Sequence, residues 1–171
     1  LTRLGTPSTT STFERDNVWY YISQVTEKYT YKLGWMDRLI AFSLERLRLE
    51  EPVLLCGDFN VAPEDIDVYN PNLWRGAIMC SDAERAAFRQ LCESGLRDTL
   101  RLHHQEGGIF SWWDYQMRAF EKKRGLRIDA VLASESLAKK CSASGIDIEM
   151  RKGKEPSDHA PVWAEFEVSE K

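Results

Sequence analysis

The chain has 171 residues, 43% of them hydrophobic and 11% aromatic, which suffices for one packed domain and excludes a disordered polar chain. A formal net charge of −4 excludes a protein that holds nucleic acid by overall charge, so any such contact must come from a local basic patch. No stretch is apolar enough to span a membrane, residues 1–17 lack the apolar core of a secretory signal, and Cys56, Cys80, Cys92 and Cys141 have no paired metal spacing. A reduced, cytoplasmic protein with no membrane partner is expected.

Residues 1–18, with the run Gly5-Thr6-Pro7-Ser8, are polar and turn-rich and predict a weakly ordered leader, leaving 19–171 as the folded part. From Tyr31 to Glu50, Leu33, Met36, Ile40, Leu44 and Leu47 recur at steps of three and four, which predicts an amphipathic helix stopped by Pro52. Val53-Leu54-Leu55-Cys56 predicts a short buried strand in which Cys56 serves as a small hydrophobe. Past it, Gly57-Asp58-Phe59-Asn60 puts a carboxylate and an amide two residues apart, a pattern that by itself is only a turn.

Residues 62–80 predict an irregular loop. Its acids Glu64, Asp65 and Asp67 lack the glycine and distal glutamate of an EF-hand, so a solvated cluster is expected. Ser81-Asp82-Ala83-Glu84 is a capping box that opens a helix ending near Gly95. His103 and His104, beside Gln105-Glu106-Gly107-Gly108, read as an exposed loop. Strands are predicted over 109–113, 127–133, 145–150 and 160–168. Helices mixed with hairpin-spaced strands indicate an α+β domain with a sheet covered on one face.

Some of these segments carry chemistry. Ile128, Ala130 and Leu132 form one face of a strand and put Asp129 on the other with Arg127 and Val131, where a carboxylate needs a cationic or hydrogen-bonding partner. Asp158 and His159, between Pro156-Ser157 and Ala160-Pro161-Val162, set a carboxylate beside an imidazole at a strand entrance, as catalysis or metal binding requires. Arg118, Lys122, Lys123, Arg124 and Arg127, against the single acid Glu121, form a basic run that is either a solvated loop or a DNA contact. Of the pair Trp112 and Trp113, strand alternation lets only one point inward.

In this order and with these gaps, GDFN, SWWDY, GLRID and SDHAPV resemble the exonuclease III family of DNA-repair nucleases, over about Glu27 to Phe166. The resemblance implies an α+β, DNase I-like four-layer αββα sandwich. This chain would be an incomplete one, a C-terminal half with one mostly complete sheet and flanking helices. The family's N-terminal strands, one bearing an Asn and one the principal metal-binding Glu, have no counterpart. Trp19-Tyr20-Tyr21-Ile22-Ser23-Gln24 replaces the family's Tyr-x-Pro-Asn-Gly segment.

The same resemblance assigns roles. Asp58 would orient or deprotonate the attacking water, Asn60 would position water and phosphate, and Asp129 would hold His159 against a phosphate oxygen. Asp158, Asp58 and Asn60 would serve a divalent metal, Mg²⁺ with Mn²⁺ as the alternative. Trp112, Leu126 and Ile128 would line a pocket for an extruded abasic sugar, and Arg118, Lys122, Lys123 and Arg124 would bind double-stranded DNA at abasic sites or 3′ ends. Three readings stay open: a metal-dependent nuclease, a catalytically weak DNA-binding relative, and a phosphatase of the same superfold. An absent half would also leave apolar sheet surface exposed and favour self-association.

Overall fold

The computed structural model describes the backbone of residues 12–167 and the side chains of residues 26–167. The chain divides into two compact units, Leu1–Trp35 and Met36–Lys171. Helix α1 covers Thr12–Arg48, so the backbone of residues 12–18, expected in the leader, is helical. Residues 1–11 lie outside the described part.

In the second unit, α1 is followed by β1 (Leu54–Asp58), α2 (Pro71–Trp74), α3 (Asp82–Glu93), β2 (Leu96–Asp98) and α4 (Thr99–His103). β3 (Asp129–Ser134), α5 (Glu135–Ala138), β4 (Cys141–Ile146) and β5 (Val162–Phe166) complete it. The strands make two antiparallel sheets rather than one, a three-stranded sheet in the order β1-β3-β2 and a two-stranded β4-β5 sheet. Residues 159–160 do pair with 111–112, through the Trp112–His159 bridge and the Ala160 N–H to Ser111 carbonyl bond of 2.7 Å. Pro161 follows, and it has no N–H to carry that pairing onward into β5.

Met36 and Ile40 of α1, Phe88 and Leu91 of α3, and Ala130 and Leu132 of β3 form the main core together with Phe59, Val61 and Leu96. Ser81 Oγ accepts the Glu84 N–H while the Glu84 carboxylate accepts the Ser81 N–H, which is the capping box expected at the start of α3. β1 departs from expectation: Leu54 is 46% exposed and Cys56 is exposed, while Val53 is buried. β1 lies at the edge of its sheet, and the side chains of Leu54 and Cys56 there are exposed.

One predicted strand is absent and another is shifted. Over 109–113 the Ser111 and Trp112 N–H groups both donate to the Leu126 carbonyl, at 3.0 and 2.9 Å, and the Ser111 hydroxyl accepts from Ile128 and Asp129. A side chain thereby replaces the ladder. Over 145–150, β4 stops at Ile146 because Asp147 caps the next turn, its carboxylate accepting the Glu149 N–H at 3.1 Å. β4 begins earlier than predicted. A Cβ on Gly145 would lie 2.7 Å from the Trp163 indole, so only glycine lets β5 pack there.

Of the acids of the 62–80 loop, Glu64 and Asp65 are exposed as expected, but Asp67 is not solvated. Asp67 is fully buried and accepts two hydrogen bonds from Arg127, at 2.6 and 3.2 Å, and one from Arg101. Arg127 also donates to Asp98 at 2.7 Å. Arg127, counted in the basic run from sequence, is therefore 1% exposed and unavailable to a ligand from solution. His104 also differs from an exposed loop residue: its ring nitrogens meet Glu106 Oε1 and the Ser144 carbonyl, each at 3.0 Å.

Candidate active site

The β1–β3 register places Asp58 directly opposite Asp129 at the end of the three-stranded sheet. Beyond β1 the chain turns sharply, with Asn60 at φ 54°, and both Asp58 oxygens accept from Asn60: Oδ1 from its backbone N–H and Oδ2 from its side-chain amide, each at 2.7 Å. The expected carboxylate–amide pair is thus one rigid unit. Asp58 is exposed to solvent, yet its carboxyl pKa is raised. Desolvation by surrounding protein is the largest cause and the facing Asp129 adds to it, against the hydrogen bonds from Asn60 and the attraction of His159.

His159 Nδ1 lies 2.9 Å from Asp129 Oδ2 and 3.2 Å from Oδ1. The partner of Asp129 is therefore the imidazole and not Arg127. A carboxylate at Nδ1 fixes the tautomer and leaves Nε2 to face outward chemistry. Ser111, which the sequence reading did not single out, holds Asp129 in place by accepting its N–H at 3.1 Å. The only hint of it was its place inside SWWDY.

Donor atoms of Asp58, Asp129 and His159 all lie within 4.8 Å of one another. Two carboxylates facing each other are a fitting donor set for a divalent cation, although they supply only part of the six-oxygen shell that Mg²⁺ prefers. Asp158 is not in this group. Its Oδ2 accepts from the Trp112 indole at 2.9 Å, and its carbonyl accepts the Trp113 N–H at 3.0 Å.

Trp113 is the inward tryptophan, 4% exposed and edge-on to Phe120 and Phe110. Trp112 is half-buried and packs on a cluster containing Leu126 and Ile128. Those two residues do not line open surface as expected: they are 0% and 1% exposed, because the paired Trp112–Leu126 backbone bonds turn the Leu126 segment into the core. They support Trp112 from beneath. Gly125 is required here, since a Cβ would lie 2.5 Å from Trp113 Nε1 and 2.7 Å from Phe110 Cβ. Arg118, Lys122, Lys123 and Arg124 are all exposed on the loop that leads into Gly125, and Arg118 comes within 3.9 Å of Glu121.

A sequence profile of the Endonuclease/Exonuclease/phosphatase family matches residues 2–159. Exodeoxyribonuclease III of Haemophilus influenzae is 42% identical over 122 residues, which cover 67% of this chain and 46% of that protein. An exodeoxyribonuclease of Bacillus subtilis is 37% identical over 137 residues, 80% of this chain and 52% of its own. Among solved structures, a 3′ phosphatase from Neisseria bound to a product DNA hairpin superposes with a TM-score of 0.80 at 41% identity, over 82% of this chain and 55% of that one. An AP endonuclease from Archaeoglobus fulgidus gives 0.78 at 38% identity, over 83% and 56%. This chain thus spans about half the length of the relatives it matches.

Proposed function

Because this chain belongs to the endonuclease/exonuclease/phosphatase family, and within it to the exonuclease III group, we propose that it contributes the catalytic centre of a DNA-repair nuclease. The reaction is hydrolysis of phosphodiester bonds at abasic sites and 3′ ends of double-stranded DNA. The observation that carries this reading is the 2.9 Å Asp129–His159 contact set beside the Asp58–Asn60 pair.

Asp58, with its raised pKa, is suited to accept a proton from an attacking water, and Asn60 holds its carboxylate in one orientation for that task. Asp129 keeps the His159 proton on Nδ1 when the ring is neutral and stabilises the imidazolium when it is charged. In its charged form the ring offers Nε2–H to a phosphate oxygen, where negative charge grows in the transition state. Trp112 is placed by Asp158 to stack against an exposed sugar or base, and Arg118, Lys122, Lys123 and Arg124 supply phosphate contacts. Asp58 and Asp129 would hold Mg²⁺, or Mn²⁺, which when bound supplies positive charge at the scissile phosphate.

The test is a substrate panel: a duplex with one abasic site, a duplex ending in a 3′-phosphate, and an inositol phosphate, each with Mg²⁺ and with EDTA. Metal-dependent turnover of the DNA substrates alone is expected. Turnover of the inositol phosphate alone would overturn the assignment in favour of a small-molecule phosphatase.

A further inference from the structure

Arg151 closes the turn over residues 148–152 and is only 6% exposed, yet no carboxylate pairs with it among the described residues. Its guanidinium instead sits among three rings, with centroids 4.9 Å away at Phe120, 5.7 Å at Tyr115 and 5.9 Å at Trp113. Its Nη1 donates to the Ser157 carbonyl and, at 3.5 Å, to the Pro156 carbonyl. Tyr115 OH donates to the same Pro156 carbonyl at 3.0 Å. Burying a cation without a counter-charge is costly, and aromatic faces and carbonyl dipoles offset that only where the geometry is held.

What this arrangement holds is the approach to Asp158 and His159. Residues 153–157 lie outside any helix or sheet ladder, apart from their bonds to Arg151 and Tyr115. Downstream, the segment is fixed by the Trp113 N–H on the Asp158 carbonyl, at 3.0 Å, and by the His159 N–H on Ser157 Oγ, at 3.1 Å. Ser157 thus receives Arg151 on its carbonyl and passes the constraint to the His159 amide through its hydroxyl.

We propose that Arg151 is a positioning residue for His159 and Asp158, acting through the Pro156 and Ser157 carbonyls from within the Trp113–Tyr115–Phe120 box. The role in rate rests on the nuclease reading, whereas the role in position does not. A misplacement of about 1 Å at a reacting group can cost on the order of 10²-fold in rate. Loss of Arg151 should therefore act on kcat and spare KM, because it displaces His159, whereas the 118–124 loop meets the guanidinium through Phe120 and not through its basic side chains.

The experiment compares wild type, Arg151→Lys and Arg151→Met in the full chain by amide hydrogen exchange without DNA and by steady-state cleavage of an abasic duplex. Arg151→Met should speed exchange at the Trp113 and His159 amides while the α3 amides keep their protection, and should lower kcat on the order of 10²-fold with KM unchanged. Arg151→Lys, which keeps charge but loses the planar guanidinium, should fall between. Should Arg151→Met unfold globally, Arg151→Lys is judged on the same two amides. Unchanged exchange at both amides, or a KM effect with kcat intact, would overturn the proposal. A wild-type chain inert on DNA would overturn the nuclease reading instead, and leave Arg151 to be judged by exchange alone.

Discussion

Asp58 and Asp129 are direct cross-strand partners at the end of the β1–β3 ladder, two carboxylates held opposite each other by backbone register. Like charges so placed disfavour ionisation, which adds to the desolvation that raises the Asp58 pKa. A carboxyl whose pKa is higher in the folded state binds protons more readily there, so its ionisation destabilises the fold. That penalty is absent below the ordinary carboxylate pKa and complete above the raised one. Asp58→Asn should therefore raise the melting temperature at pH 7, with the gain vanishing in acid. Melting curves across pH check this, and a lower melting temperature at pH 7 would contradict it.

Asp129 and His159 should behave as one catalytic unit. Asp129→Asn and His159→Ala should each slow abasic-site cleavage on the order of 10²–10⁴-fold, and the double variant should be little slower than the slower single one. Single-turnover rates decide it: fully multiplicative losses would mean that the 2.9 Å contact is not used in the reaction.

The exposed basic loop should act on binding. Charge reversal at Lys122, Lys123 and Arg124 should weaken duplex affinity and flatten its salt dependence by up to about 3 in log–log slope, roughly 0.9 per lost phosphate contact. Turnover at saturating DNA should persist. Fluorescence anisotropy over a salt series measures this, and an unchanged slope would remove the loop from the interface.

Asp67 is predicted to be a stability residue. Asp67→Ala leaves two guanidiniums, Arg127 and Arg101, without their shared partner in the interior, a loss of about 3–5 kcal/mol. Urea unfolding should show the drop. Arg97→Ala, which breaks the exposed Arg97–Glu135 pair, should leave the midpoint nearly unchanged.

The thiols should separate by exposure. Cys56 is exposed, whereas desolvation raises the pKa of Cys80 and Cys141 and pushes Cys92 up to about 12. Ellman's reagent should find a single fast thiol, abolished by Cys56→Ser. A fast phase that survives this substitution would show that the second unit opens readily.

Local patterns were legible where the physics is local. The Ser81–Glu84 box and the 3.6-residue periodicity through Met36 and Ile40 named α3 and the C-terminal part of α1, because capping and amphipathicity need only near neighbours. That Asp58, Asn60, Asp129 and His159 belong together is legible through their motif context, and the structure brings them to one end of the β1–β3 ladder. Arg127 and Asp67 were not legible, since their pairing spans 60 residues and each alone reads as a surface charge. The burial of Leu126, expected by resemblance to line a pocket, is not legible because the Trp112 bridge that holds it inward is a single non-local contact. The Ser111 hydroxyl, standing in for a strand ladder over 109–113, has no signature in hydrophobic alternation.

The His159–Asp129 pair beside Asp58 is proposed as a centre for cleaving DNA phosphodiesters. The most direct measurement is single-turnover incision of a duplex carrying one abasic site by the purified 171-residue chain, in Mg²⁺ and in EDTA, for wild type and His159→Ala. The predicted result is incision that requires Mg²⁺, is weak because the two facing carboxylates supply only part of a Mg²⁺ shell, and falls by a further factor of at least about 10² in His159→Ala while duplex affinity is retained. Incision that is absent from wild type, insensitive to EDTA, or equal in the two proteins would contradict it.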